Sequence, residues 1–293
     1  MATDWRQRRR GRLSSPDQRE LPLDPPPRRL FSCSPSKLMT WVDCPRRFRF
    51  TYLDRPTPIK GPPWGHLSYG TSVHNALRAW WDLPLNRRTP ASAGELVRTG
   101  WLADGFRDDA QSEQWKHRAA TQVSDYVTSI DPEHDPVGVE RTVALRTETL
   151  AFSGRVDRID DRGGNAVVVD YKTGRSAPRD TDVRASMALA LYDEATSRTL
   201  RKPSRRVELH HLPTATVAVW DHSDESVARH VQRADSIGAE ALQVIQRAKP
   251  DDDLDAVFPA KPGSLCAWCD FRSHCPEGQR TGPAHQPWDG LPN

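Results

Sequence analysis

The hydrophobic pattern along the chain changes period near its middle. In the first half apolar residues recur three and four positions apart: Leu38 with Trp41, Val73 with Leu77, Trp80 and Trp81, and Trp115 with Ala119, Val123 and Tyr126. That spacing places each set on one face of a helix. In "SPSKLMTWVDCPRRFRFTYL", Ser34 caps a helix that begins at Pro35, and Pro45 kinks or restarts it before Phe48 and Tyr52. From residue 137 the pattern shortens to alternation and brief apolar runs. Strands are predicted over 137–145, 150–160, 166–172, "RVELHHL" and "TATVAVW". A helix over 183–197 interrupts them, and a long amphipathic helix over 224–247 follows. No internal repeat is visible. Helices around a small mixed sheet predict an α/β (mixed α+β) fold.

The stretch "GRVDRIDDRGGNAVVVDYKTG", residues 154–174, reads as two strands joined by a tight turn. A hairpin closing on Gly163 and Gly164 pairs 162 with 165, 160 with 167 and 157 with 170. Asp157 and Asp170 then oppose each other on one face, and Lys172 shares the face of Asp170. Like charges directly opposed are destabilising, so the pair calls for something positive between them. Hard oxygen ligands suit Mg²⁺ or Mn²⁺, and such an ion activates water against phosphorus. A lysine beside it can orient or deprotonate that water, or stabilise charge developing on a phosphate. The plainer reading is a surface hairpin with Asp157 paired to an arginine and Lys172 solvated. His74 follows "WGHLSYG" on an amphipathic helix and reads alone as a core or boundary residue. Beside the hairpin it becomes a candidate third ligand.

Composition narrows the setting. The chain has 293 residues, a net charge of +3 and five cysteines, and its N-terminus lacks the apolar segment of a secretory signal. With a mean hydropathy of −0.73 and no long apolar run, a membrane span is not expected, and a cytoplasmic protein without a disulfide framework is. Residues 1–29 are basic and proline-rich and are expected to be a disordered arm, residues 30–277 a single domain, and residues 278–293 a flexible tail. "CAWCDFRSHC" places Cys266, Cys269 and Cys275 in a C-x2-C-x5-C array, one ligand short of a tetrahedral site or cluster. Cys44 in "DCPRRFRF" is the natural fourth and Cys33 the spare. Zn²⁺ and [4Fe–4S] both suit four such sulfurs.

Taken together, "SPSKLMTWVDCPRRFRFTY", "GTSVH", "GRVDRID", "VVDYKTG" and "CAWCDFRSHC" resemble the RecB-type branch of the PD-(D/E)XK nucleases. The likeness is strongest to its iron–sulfur members, among them CRISPR-associated nucleases and exonuclease subunits of recombination machines, and it covers roughly residues 31–277. It implies a restriction-endonuclease-like core with a helical N-terminal part and a C-terminal cysteine-rich segment. By the family pattern His74, Asp157 and Asp170 match metal ligands, Tyr171 matches the residue whose backbone carbonyl completes the shell, and Lys172 matches the catalytic lysine. Cys44, Cys266, Cys269 and Cys275 match the cluster ligands. The pattern's helical Gln and Tyr fall here on Ala188 and Tyr192, so only the tyrosine is retained. Arg46 and Arg47, with Trp64 and Trp81, are candidates for phosphates and bases, although solvated arginines and core aromatics are the plainer assignment.

The resemblance implies a metal-dependent DNA exonuclease acting on single strands or free ends. Its alternative is a catalytically silent DNA-end-binding subunit of a helicase–nuclease complex. No G-x-x-x-x-G-K-[ST] loop occurs, so unwinding would need a helicase or CRISPR-type partner. Ser34-x-x-Lys37, Ser124-Asp125 and Lys172-Thr173-Gly174 imitate the motifs of penicillin-binding serine hydrolases. That reading leaves His74, both aspartates and four cysteines without a task.

Overall fold

The structure, a computed structural model, describes residues 30–291; the expected arm over residues 1–29 lies outside them. Strand β1 (Phe31–Cys33) leads into α1 (Pro35–Asp43) and α2 (Pro45–Tyr52). Ser34 caps α1 by accepting the Lys37 amide at 3.2 Å, and α2 restarts at Pro45 as expected. The break between them leaves Cys44 in extended backbone, its sulfur facing the Arg47 amide at 3.5 Å. Helices α3 (Gly65–Trp81), α4 (Pro90–Thr99) and α5 (Asp109–Val127) complete the helical half.

The second half alternates as its pattern requires. Strands β2 (Gly138–Arg146), β3 (Leu150–Arg162) and β4 (Asn165–Lys172) are followed by α6 (Asp180–Ala185) and α7 (Met187–Leu200). Strands β5 (Ser204–His211) and β6 (Thr216–Asp221) then lead to α8 (Asp224–Arg247) and to the short helices α9 (Leu254–Val257) and α10 (Pro276–Gln279). The six strands form one mixed sheet in the order β1-β3-β4-β5-β6, with β2 on the other side of β3. β1 and β4 share one edge of β3 at opposite ends: β1 pairs with residues 150–152 and β4 with residues 158–162. Three residues are too few to show alternation, so nothing in the sequence marked β1 as a strand.

The sheet is covered on both faces. Val167, Val169 and Tyr171 pack with Tyr69, Val73, Trp80 and Val123 of α3 and α5. Ala166 and Val168 pack into the opposite cluster with Leu38, Phe48, Leu191 and Val207. Burial on both faces explains why β4 reads as a continuous apolar run rather than an alternating one. Among the described residues no helix is long and apolar enough to cross a membrane.

The chain beyond residue 277, expected as a loose tail, runs back across the domain. Pro287 accepts the amide of Gly65 at 3.0 Å, His285 stacks on Trp268 with ring centroids 4.1 Å apart, and Leu291 joins the core below α3. Its polar composition hid these anchors, which are a ring contact, backbone bonds and a buried leucine.

Candidate functional site

The β3–β4 ladder runs from Arg162–Asn165 to Arg158–Val169 and then stops. Residues 157 and 170 occupy the next register position, where the strands part. There the Asp157 carboxylate takes over from the ladder: its Oδ2 accepts the Tyr171 amide at 2.8 Å. A side chain thus replaces a strand carbonyl and is fixed by that exchange. The predicted pairs 162:165 and 160:167 are present, and 157:170 lies one step past the last of them.

Two glycines set the surroundings of this fork. A Cβ on Gly70 would lie 3.2 Å from the Thr173 hydroxyl, so glycine lets α3 approach the chain leaving β4. One helical turn on, His74 Nδ1 comes within 3.4 Å of Asp157 Oδ1. A Cβ on Gly154 would lie 2.4 Å from a ring carbon of Tyr192, so this glycine gives the tyrosine ring its place against β3.

A third carboxylate, from Glu140, was not among the residues singled out in the sequence. β2 pairs with β3 through Val139–Arg158 and Arg141–Val156, which leaves Glu140 at the position facing Asp157, with φ of +48°. His74, Glu140 and Asp157 each offer a ligand atom within 4.8 Å of the others, the sole group of three among the described residues to do so. Glu140 Oε2 also meets Arg155 Nε at 2.6 Å. No motif marks this glutamate; its only signal is a carboxylate in the strand next to the Gly-x-x-Asp strand. Asp170 turns instead to Lys172, whose Nζ lies 2.6 Å from its Oδ2. The Lys172 ammonium is thus the partner of Oδ2.

The electrostatics follow from the crowding. Burial pushes the Asp170 carboxyl up, Lys172 opposes the shift, and Asp157 adds to it. Glu140 is raised by burial and then by Asp157, against the pull of Arg155. For His74, burial disfavours the charged ring, but the bond to Asp157 and its charge outweigh that and raise the imidazole. Tyr192 is pushed up to about 12 by burial and by Asp170 and Asp157. Carboxylates that resist ionising together and one imidazole make a donor set suited to a hard divalent cation.

The fork opens into a cleft of about 1380 Å³. Its walls include Ala188 and Tyr192 of α7, Leu67 and Thr71 of α3, Arg118 of α5, and Arg175 beyond β4. At Ala188 the wall offers only a methyl group.

Arg46 and Arg47 do not reach this cleft. Arg46 is buried, paired with Glu277 Oε2 at 2.9 Å and Asp255 Oδ2 at 3.2 Å, and ties α2 to the C-terminal segment. Its charge is consumed internally, which corrects its assignment to phosphate. Arg47 and Arg46 instead line a second, small pocket together with Cys44, Cys266, Cys269 and Cys275. Trp81 is buried in the core, and Trp64 donates to Asp270 Oδ1 at 2.8 Å. Burial raises the thiols of Cys269 and Cys275, and the nearby Cys44 adds to both shifts. Cys33 lies elsewhere, buried in the main core with its thiol pushed up to about 12 by burial.

A model of the PD-(D/E)XK nuclease superfamily matches residues 32–276. A solved structure of a protein from Eubacterium rectale, described provisionally as an exonuclease, is 10% identical; the match covers 81% of this chain and 92% of that one, with a TM-score of 0.50. A second solved structure, SSO0001, is 13% identical over 84% of this chain and 86% of that one, with a TM-score of 0.33. At these identities the first likeness speaks to the fold alone, and the second is too distant to support an inference. No curated protein matches.

The His74–Asp157 contact yields a direct expectation. By NMR titration the His74 imidazole should titrate above the ordinary 6.5, and Asp157→Asn should lower its pKa, because burial then acts with less opposition. The pair's contribution to stability is correspondingly present below pH 6.5 and lost as pH rises through the raised value. An imidazole whose titration ignores Asp157→Asn would show that the contact carries no charge coupling.

Proposed function

The chain belongs to the PD-(D/E)XK nuclease superfamily, and from that membership we propose that it is a metal-dependent DNA exonuclease of RecB type, acting on single strands or free ends. The observation that carries the reading is the fork itself. One imidazole and two carboxylates converge within 4.8 Å, and a third carboxylate, across from Asp157 on the other strand, holds a lysine. Mg²⁺ or Mn²⁺ fits the donors His74, Asp157 and Glu140, with Asp170 and the Tyr171 carbonyl beside them. When bound, such an ion supplies Lewis acidity and a water made nucleophilic near neutral pH.

The chain's own residues do the rest. Asp157 is pre-set by the Tyr171 amide, so it does not have to reorganise on binding. Asp170 keeps the Lys172 ammonium at the centre, where it stabilises negative charge developing on a phosphate or orients the attacking water. Tyr192 and His74 close two sides of the reacting space. The silent end-binding alternative is disfavoured because none of these groups is missing.

The cysteine pocket is read as the site of a [4Fe–4S] cluster. Arg47 and Arg272 on the same pocket would offset part of a cluster's negative charge. Its part is structural: it ties Cys44, at the break between α1 and α2, to the far end of the chain. Hydrolysis needs no electron transfer. Unwinding would fall to a separate motor in the cytoplasm, whether a helicase or a CRISPR-type assembly.

Activity tests the first reading. With end-labelled single-stranded DNA and Mn²⁺, Lys172→Ala should lower kcat by about 10²–10³-fold while changing DNA affinity little. A variant that cleaves as fast as wild type, or that loses binding and turnover equally, would remove Lys172 from the chemistry. Anaerobic purification tests the second. The wild type should be brown with visible absorption, Cys44→Ala should bleach it and lower its Tm, and Cys33→Ala should leave the colour. A colourless wild type carrying one zinc per chain would refute the cluster and leave the nuclease reading standing.

A further inference from the structure

The cleft extends well beyond the carboxylates, and its charges are unevenly placed. Its volume of about 1380 Å³ exceeds the roughly 300–1,000 Å³ of small-molecule pockets, which points to a polymer lying along it. Three arginines line it: Arg118, Arg155 and Arg175. Arg155 is taken by Glu140 at 2.6 Å. Arg118 has no carboxylate partner among the described residues; its guanidinium lies over the Trp115 ring at 4.7 Å, which orients it and leaves its N–H donors available. Among the described residues Arg175 makes only a 3.3 Å bond from Nη2 to the carbonyl of Asp289. The cleft therefore carries its acids at the fork and two uncommitted cations on its α5 and post-β4 walls.

A phosphodiester polymer faces a difficulty here. The fork is acidic and repels it, so the chain must be anchored away from the reacting bond. We propose that Arg118 and Arg175 are the phosphate anchors of a single-stranded DNA track that leads to the fork, a reading that rests on the nuclease function proposed above. The α3 face beside them favours a single strand over a duplex. Leu67 is 57% exposed there, an apolar contact for unpaired bases that a duplex would hide. Ala188 itself, by contrast, offers no donor to a strand.

The test is salt-dependent binding of a fluorescent oligothymidine, measured by anisotropy without divalent metal. Each phosphate neutralised on a single strand contributes about 0.7 to the slope of log K against log salt. The double variant R118Q/R175Q should bind at least about tenfold more weakly near 0.1 M salt, with the slope reduced by about 1.4. R118K/R175K, which keeps the charge, should recover most of that loss. Mn²⁺ affinity by calorimetry should be unchanged in both variants, which shows that the fork is intact. Unchanged affinity and slope in R118Q/R175Q would overturn the track while leaving a wild-type nuclease activity in place. Arginine-dependent binding by a wild type that cleaves no DNA would uphold the track and overturn the nuclease reading. An equal loss of slope on a duplex of the same length would overturn the single-strand assignment.

Discussion

Where β3 and β4 part, the Tyr171 amide needs an acceptor, and the Asp157 carboxylate provides it at 2.8 Å. A backbone donor left without a partner inside a protein costs about as much as a lost hydrogen bond, so this contact is needed for the fold as well as for the site. It fixes Asp157 just past the end of the ladder, with Glu140 facing it from β2 and Asp170 across from it on β4. Three carboxylates are thereby held together by backbone geometry rather than by their own attraction, which is repulsive. His74 and Lys172 offset part of that repulsion, each through one contact.

Close approach of the surrounding elements makes this arrangement possible. Gly70 lets α3 sit against the chain after β4, and the next turn delivers His74 to Asp157. Gly154 clears room for Tyr192 on α7. Each glycine acts by the absence of a side chain at a helix–strand contact, so a larger residue at either position would push a site wall outward. The C-terminal segment closes the other side. Trp64 and Gly61 bond to Asp270, and Gly65 bonds to Pro287, so the segment that carries the cysteines also braces the start of the helix bearing His74.

Much of this was legible in the sequence because it rests on local rules. The strand pair around Gly163 and Gly164, the Pro45 restart and the long α8 all follow from turn chemistry and periodicity. The closeness of Asp157, Asp170 and Lys172 was visible because all three lie on one hairpin, whereas His74 was brought to them by the family pattern. Glu140 was hidden because its role depends on β2 pairing with β3, and on a left-handed backbone at a residue with no compositional mark. Arg46 misled because composition registers a charge but not its burial, and its partners Asp255 and Glu277 lie more than two hundred residues away. The packing of residues 278–291 was hidden for the same reason.

The central claim is that the fork is an arrangement of negative charge that only a cation relieves. Thermal unfolding addresses it directly when wild type and Asp157→Asn are compared with and without Mn²⁺ at a pH above the measured titration of His74. The asparagine keeps an acceptor for the Tyr171 amide and removes one charge. The metal-free variant should melt at or above the metal-free wild type, and Mn²⁺ should raise the wild-type Tm while moving the variant little. A metal-free variant that melts clearly lower, with an undiminished Mn²⁺ shift, would contradict the account.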